Sequence, residues 1–302
     1  IMEKEKQSLI KELGESTAKS YAGSYMRLRK ILNMTDKRKP IKKISLDVIL
    51  GEIKKVENPS TAYSVFVIAK KIFSYADNKE KFDALDNEIK KRKRDIQVDK
   101  NKNLSQSLPT YKEIATAVKK ETDPRKYITS FIMFKISTRN QDVALADLHA
   151  KPKDNYDDKR NHLIVDGNKV IFIRNVYKTA KKYGQKKNII LVKKFVDMVK
   201  EVLGDADTKA LFARRNGEHI TPASIASYLK KYVVLGLNEN GMIKAVLKYA
   251  DENGSYDMLR KISANRGTGV NVLLQEYDVS NIKEPTEVIT QKQDVKQTVE
   301  VE

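Results

Sequence analysis

The sequence predicts a mainly α-helical protein with one small antiparallel β-sheet, arranged as a helical N-terminal domain and a mixed second domain. Three observations lead there. Apolar residues recur at spacings of three and four through most of the 302 residues, as one buried helical face requires. Residues 163–192 change to a period near two around Asp166-Gly167, a strong hairpin turn. A basic run and the polar stretch Asp95 to Ser107 separate the first hundred residues from the rest. The boundaries that follow are a domain over 1–100, a linker over 101–107, a second domain over 108–280 and a tail over 281–302. A chain of this length can bury a core in each of two domains.

In the first domain, Tyr21, Tyr25, Leu28 and Leu32 share one helical face, and Lys19, Arg27 and Lys30 reach away from it. A second helix is expected over Leu46 to Val56, and an apolar, aromatic helix over Thr61 to Tyr75. Pro40 and Pro59 punctuate the intervals between them. The expectation is a bundle of four or five helices. Lys90, Lys91, Arg92, Lys93 and Arg94 then form an unbroken basic run. It can grip phosphates beside a flexible connection, or it can be a solvated helix end whose cations face the negative pole of the dipole.

The second domain starts at Thr110, which stands at capping-box separation from Glu113. A further helix carries Tyr127, Ile128, Phe131, Ile132 and Phe134. Ser137 and Thr138 then introduce Arg139, Asn140, Gln141 and Asp142, a polar group set beside the returning core residues Val143 to Leu145. Leu163, Val165, Val170, Phe172, Val176, Ile189 and Leu191 favour short strands. Tyr177, Lys178 and Thr179 precede a second bend at Tyr183-Gly184. Helical patterning resumes over Phe195 to Leu203, after Thr221 with Pro222 in a first turn, and over Ile243 to Tyr249.

Charge narrows the choice of partner. Lys and Arg number 59 against 40 Asp and Glu, a net +19, which favours approach to a polyanion. The excess is spread: residues 1–100 carry +9 and residues 101–280 carry +12, whereas the last 22 residues carry −2. Nucleic acid is the leading partner this balance favours, and an anionic membrane is the other polyanion the charge alone allows. The absence of cysteine excludes disulfides and thiolate-bound metals, and three scattered histidines argue against structural zinc, so no metal or cofactor is implied. No stretch reads as a signal peptide or as an 18-residue apolar span. The expected setting is intracellular, in a nucleoid, nucleus or viral factory, or associated with a virion.

The order of these elements and of their polar residues resembles the tyrosine recombinase, or phage integrase, family. Thr138-Arg139-Asn140-Gln141-Asp142 resembles the family's first-arginine region, and Lys178 in Tyr177-Lys178-Thr179 resembles its hairpin lysine. Gly267-Thr268 stands where the family carries Gly-His, and Tyr277 follows at the nucleophile's spacing. Counting back 33 residues from Tyr277 places Lys244, in Gly241-Met242-Ile243-Lys244, where the family has the arginine of His-x-x-Arg. The resemblance thus implies a helical core-binding domain before a catalytic domain whose site residues are Arg139, Lys178, Lys244, Thr268 and Tyr277. Arg260 and Arg266 are the arginines that stand in for a missing guanidinium if the fold brings them to the cleft, and they join the DNA-binding set.

The departures matter chemically. In the family-type reaction a tyrosine attacks a phosphodiester, two guanidiniums hold the nonbridging oxygens and a lysine protonates the leaving hydroxyl. Lys244 keeps a charge but lacks the planar two-donor fork. Gly241 removes a proton relay and orienting group, and Thr268 offers only a hydroxyl where the family's histidine binds phosphate. Losing one directed donor costs about 2.7–4 kcal/mol of transition-state stabilisation, so the balance shifts toward holding DNA, as a pseudoenzyme would, over cutting it. The competing readings are an active recombinase that forms a 3′-phosphotyrosyl link through Tyr277 and a structural component of a virion or nucleoprotein. Arg139 has a plainer role open to it, as a bridge to Asp142 or Asp147. Tyr277 can equally pack on the last helix. The tail allows either a homo-oligomer contact or an acidic, disordered end.

Overall fold

The structure is a computed structural model that describes residues 5–8, 13, 15–36, 38–214, 220, 225–277 and 298–301. Two units, Ile1–Lys100 and Asn101–Glu302, each enclose a hydrophobic core. The fold is mainly helical with one small sheet, as the periodicity predicts. No helix of the described residues is long and apolar enough to cross a membrane.

In the first unit, α1 (Glu15–Ile31), α2 (Leu46–Lys54) and α3 (Pro59–Ile72) bury Tyr25, Leu28, Ile49, Ile53, Val65 and Phe66 against Phe82 and Ile89 of α4 (Lys79–Ser107). Helix α3 begins two residues before the expected Thr61. Pro59 is set for a first turn, and Asn58 Oδ1 accepts from Ser60 N and Thr61 N, both at 3.0 Å. The stretch expected to be a flexible connection is different. Residues 95–107 continue α4 as helix to Ser107, a run with no Gly or Pro to break it.

The second unit opens with α5 (Tyr111–Lys120), where the Thr110–Glu113 capping box is formed in both directions. Helix α6 (Pro124–Phe131) passes into a π-helical turn over Ile132–Ile136, and Ser137 then takes a left-handed conformation at φ 57°. That sharp change of direction leaves the carbonyls of Ser137 and Thr138 outside any helix, ahead of the short α7 (Asn140–Ala144).

The sheet corrects the antiparallel expectation. It has six strands in the order β5-β1-β2-β3-β4-β6, with β1 (Ala146–His149), β2 (Asn161–Asp166), β3 (Lys169–Arg174), β4 (Lys186–Ile190), β5 (Thr208–Ala210) and β6 (Thr298–Val301). The β1–β2 and β4–β6 pairs are parallel and the others antiparallel. Residues 150–160 form a connection long enough to return the chain for parallel pairing, which no hairpin permits. Strands β1 and β5 are too short, at four and three residues, to show a period in sequence. The predicted hairpin joins β2 to β3, with Gly167 at φ 63° in the turn. After the single turn α8 (Ala180–Tyr183), helix α9 (Lys193–Leu203) packs on β1, β2, β3 and β5.

After α10 (Ile225–Leu229), helices α11 (Glu239–Glu252), α12 (Tyr256–Arg266) and α13 (Val270–Tyr277) complete the unit. Residues Thr221 and Pro222, expected to begin a helix, lie outside the described residues, as does most of the 281–302 tail proposed as an oligomer contact. Its last strand, β6, pairs with β4 of the same chain.

Candidate functional site

The geometry of the site begins with a buried asparagine. Asn161 Nδ2 donates to Asp142 O at 2.8 Å and to Val176 O at 3.0 Å, while its Oδ1 accepts from Asn175 N and Val176 N. All four of its hydrogen-bonding positions are used. One side chain on β2 therefore ties α7, which carries Asp142, to the segment after β3.

Behind the site lies a fully buried ion pair. Arg174 Nη1 stands 3.2 Å from Asp142 Oδ2, and neither side chain is exposed. Arg174 also donates to Asn265 O at 2.8 Å and to Asn188 Oδ1 at 3.1 Å. Burial pushes the Asp142 carboxyl up, and the Arg174 and Arg139 guanidiniums oppose it. The same burial draws Arg174 down against the pull of Asp142. Asp142 is thus the partner of Arg174, and Asp147 pairs with Arg160 at 3.3 Å. Neither supplies the bridge to Arg139 that sequence leaves open.

In front, two arginines meet around a tyrosine. Arg139, half-buried, donates through Nη1 to Arg266 O at 2.7 Å. Its pKa is lowered by burial and then by the neighbouring Arg266 charge. Arg266 is only 1% exposed. Its Nη1 donates to Ser137 O and Thr138 O at 3.2 and 3.3 Å, and its Nη2 to Glu239 Oε1 at 2.8 Å and Tyr277 Oη at 3.2 Å. The guanidinium also lies 5.1 Å from the Tyr277 ring centroid. Glu239, at the start of α11, accepts from Asn140 N at 2.9 Å through its other oxygen. One carboxylate therefore serves a guanidinium and a backbone N–H.

The remaining predicted residues fare unequally. Lys178 is exposed. The lysine brought to the cluster is Lys186, at the start of β4, whose Nζ donates to Ala264 O and, at 3.4 Å, to Asn265 O, and lies 4.9 Å from the Tyr177 ring centroid. Burial first, then Arg174 and Arg139, draw its pKa down to about 8. Lys244 is buried on α11, and burial lowers its pKa. Thr268 caps α12: its N–H reaches Ser263 O at 3.1 Å and its carbonyl accepts from Ser263 Oγ. Arg260 is exposed over the Tyr256 ring, 4.6 Å from its centroid, with its charge turned to solvent instead of to the cluster.

Of the phosphate-contact residues proposed for the first unit, Lys19, Arg27, Lys30, Lys90, Lys91, Lys93 and Arg94 are exposed. Lys90 pairs with Asp86 at 3.1 Å. Arg92 is used inside the fold, donating to Lys54 O, Val56 O and Glu57 O beyond the end of α2. A cation in a basic run has become a helix cap.

Sequence reasoning missed Asn161, Arg174, Lys186, Asn188, Glu239 and Asn265. A signal existed for Arg174: it continues the buried face of β3 after Val170 and Phe172 at a spacing of two. The carbonyl acceptors that gather Lys186 and Arg139 have no signature in side-chain sequence.

No family model and no curated protein matches the sequence. Among solved structures, the crystal structure of XerA recombinase aligns over 93% of this chain and 93% of its own, at 12% identity and a TM-score of 0.35.

Proposed function

We propose that this chain binds double-stranded DNA, in a tyrosine-recombinase-like arrangement whose strand-cleavage activity is weak or absent. The observation that carries the reading is the state of Arg266. It stands beside Tyr277 and Arg139, where a second phosphate-binding guanidinium belongs, yet it is buried and both terminal nitrogens serve protein acceptors. Transition-state stabilisation needs donors aimed at the reacting oxygens. Lys244, the positional substitute, is a point charge on a buried helix face. Phosphate attraction survives these losses, because it draws on a net +19 and on exposed cations in both units.

One contact favours the active alternative: the 3.2 Å approach of Arg266 Nη2 to Tyr277 Oη puts a cation on a potential nucleophile. A duplex nicked near the cleavage point separates the two readings. Fluorescence anisotropy is expected to report duplex binding that weakens steeply with added salt, with no covalent adduct on denaturing gels. An adduct that Tyr277→Phe abolishes would establish cleavage, and salt-insensitive or absent duplex binding would remove the DNA reading.

A further inference from the structure

An α-helix leaves its last four carbonyls without intrahelical partners, and together they carry about half a negative charge. Helix α12 ends with Gly267 in the left-handed region at φ 61°. Two return bonds close the end, Gly267 N to Ala264 O at 3.2 Å and Thr268 N to Ser263 O at 3.1 Å, the pattern of a Schellman cap. Such a cap leaves the outward carbonyls to solvent in an ordinary helix. Here they are taken by the cationic cluster.

Four successive carbonyls are engaged. Ala264 O accepts from Lys186 Nζ, Asn265 O from Arg174 Nη1 and Lys186 Nζ, Arg266 O from Arg139 Nη1, and Gly267 O from Thr179 Oγ1 at 3.0 Å. The approach is close enough that a Cβ at position 267 would collide with Thr179 Oγ1 and stand 3.2 Å from Lys186 Nζ. Arg174 is sealed in the core with its own carboxylate. Arg139 and Lys186, in contrast, are partly exposed, repel one another's charge and have no carboxylate within hydrogen-bonding distance among the described residues. What they hold are the carbonyls of Ala264, Asn265 and Arg266, each a partial negative charge.

We propose that the C-terminal carbonyls of α12 occupy this cationic site in the free protein as an internal stand-in for phosphate, and that a DNA backbone phosphate displaces them by opening the turn at Gly267. The proposal rests on the DNA-binding reading and adds to it a closed state. A full charge outcompetes partial ones for Arg139 and Lys186. The release frees α13, and with it Tyr277, from a contact that now fixes both helices. The affinity measured for DNA is then the intrinsic affinity reduced by the fraction of molecules that are open.

Two measurements on the full chain test this. In hydrogen–deuterium exchange, adding duplex is expected to speed exchange across residues 263–277 while α9 stays unchanged. In anisotropy, Thr179→Val, which removes the hydroxyl that holds Gly267 O but touches no phosphate-binding cation, is expected to bind duplex about five-fold tighter, the population shift from one lost hydrogen bond. Unchanged or slowed exchange with duplex bound, or unchanged or weaker binding by Thr179→Val, overturns the displacement and leaves DNA binding standing. Failure of the unaltered chain to bind duplex overturns both.

Discussion

Arg174 and Arg139 send Nη1 to neighbouring carbonyls of the same helix end, at 2.8 and 2.7 Å, yet they are opposite kinds of residue. Arg174 is fully buried and faces Asp142, Asn188 and Asn265, so its charge is matched and its donors are placed. Arg139 is half-buried, and the strongest charge acting on it is another guanidinium, opposed more weakly by Asp142 and Glu239. The first arrangement is a finished internal network, and the second carries an excess of positive charge that a further anion would relieve. What separates a structural cation from an anion-seeking one here is the presence of a counter-charge. Residue type and spacing do not show it.

The strongest test of the contrast removes the counter-charge. Asp142→Asn leaves Arg174 buried without its carboxylate, a change that typically costs about 3–5 kcal/mol. Urea denaturation is expected to show a loss in that range at neutral pH. A loss below about 1 kcal/mol would mean that Asn188 and Asn265 suffice for Arg174, and the contrast would fail.

Much of the fold was legible because burial leaves a period in sequence. The helices of both units, the Thr110 cap and the Asp166-Gly167 hairpin all rest on local spacing or local turn chemistry. The parallel pairings of β1 with β2 and of β4 with β6 were not legible, since parallel neighbours are set by tertiary connection. The site divided along the same line. Arg139 and Tyr277 each meet Arg266 in space. Lys178 does not, and Lys186 takes the inner position, because the nine residues from Lys178 to Lys186 offer several lysines and the backbone bend after Tyr177 selects among them. Arg92 was misread for the converse reason: its neighbours are exposed, and only the packing of α2 reveals that it caps carbonyls.

A second buried polar network, neutral where the Arg174 pair is ionic, gives the next largest expected effect. His149 Nε2 and His162 Nδ1 lie 3.0 Å apart, His162 Nε2 donates to Asp157 O at 2.8 Å, and His149 Nδ1 meets Thr208 Oγ1 at 3.2 Å. Because Asp157 O can only accept, His162 Nε2 carries its hydrogen, which leaves His162 Nδ1 able to accept from His149 Nε2–H. Burial, then the His162 and Lys153 neighbours, lowers the His149 pKa to about 4. Against an unfolded value near 6.5, the unfolded chain binds more protons between these limits. The stability is therefore complete above about pH 6.5 and is lost as pH falls toward 4, by about 3 kcal/mol. Urea titrations across that window are expected to show this slope in the unaltered chain and its loss in His149→Gln. Equal slopes would mean that His149 is not held neutral.

The smallest expected change in stability, and the most direct probe of unbalanced charge, is Arg139→Gln. The substitution removes one bond to Arg266 O and also removes the repulsion between the two guanidiniums. These effects oppose, so stability is expected to move by less than about 1 kcal/mol, far from the Asp142→Asn loss. Duplex affinity is expected to fall about ten-fold, the loss of one charge-assisted contact to phosphate. The slope of log affinity against log salt is expected to become shallower by about one unit. If Arg139→Gln instead destabilised the chain as strongly as Asp142→Asn while duplex affinity stayed constant, Arg139 would belong with Arg174 as a core residue. The charge excess around Tyr277 would then have to be balanced within the chain itself, and a phosphate would have no place there.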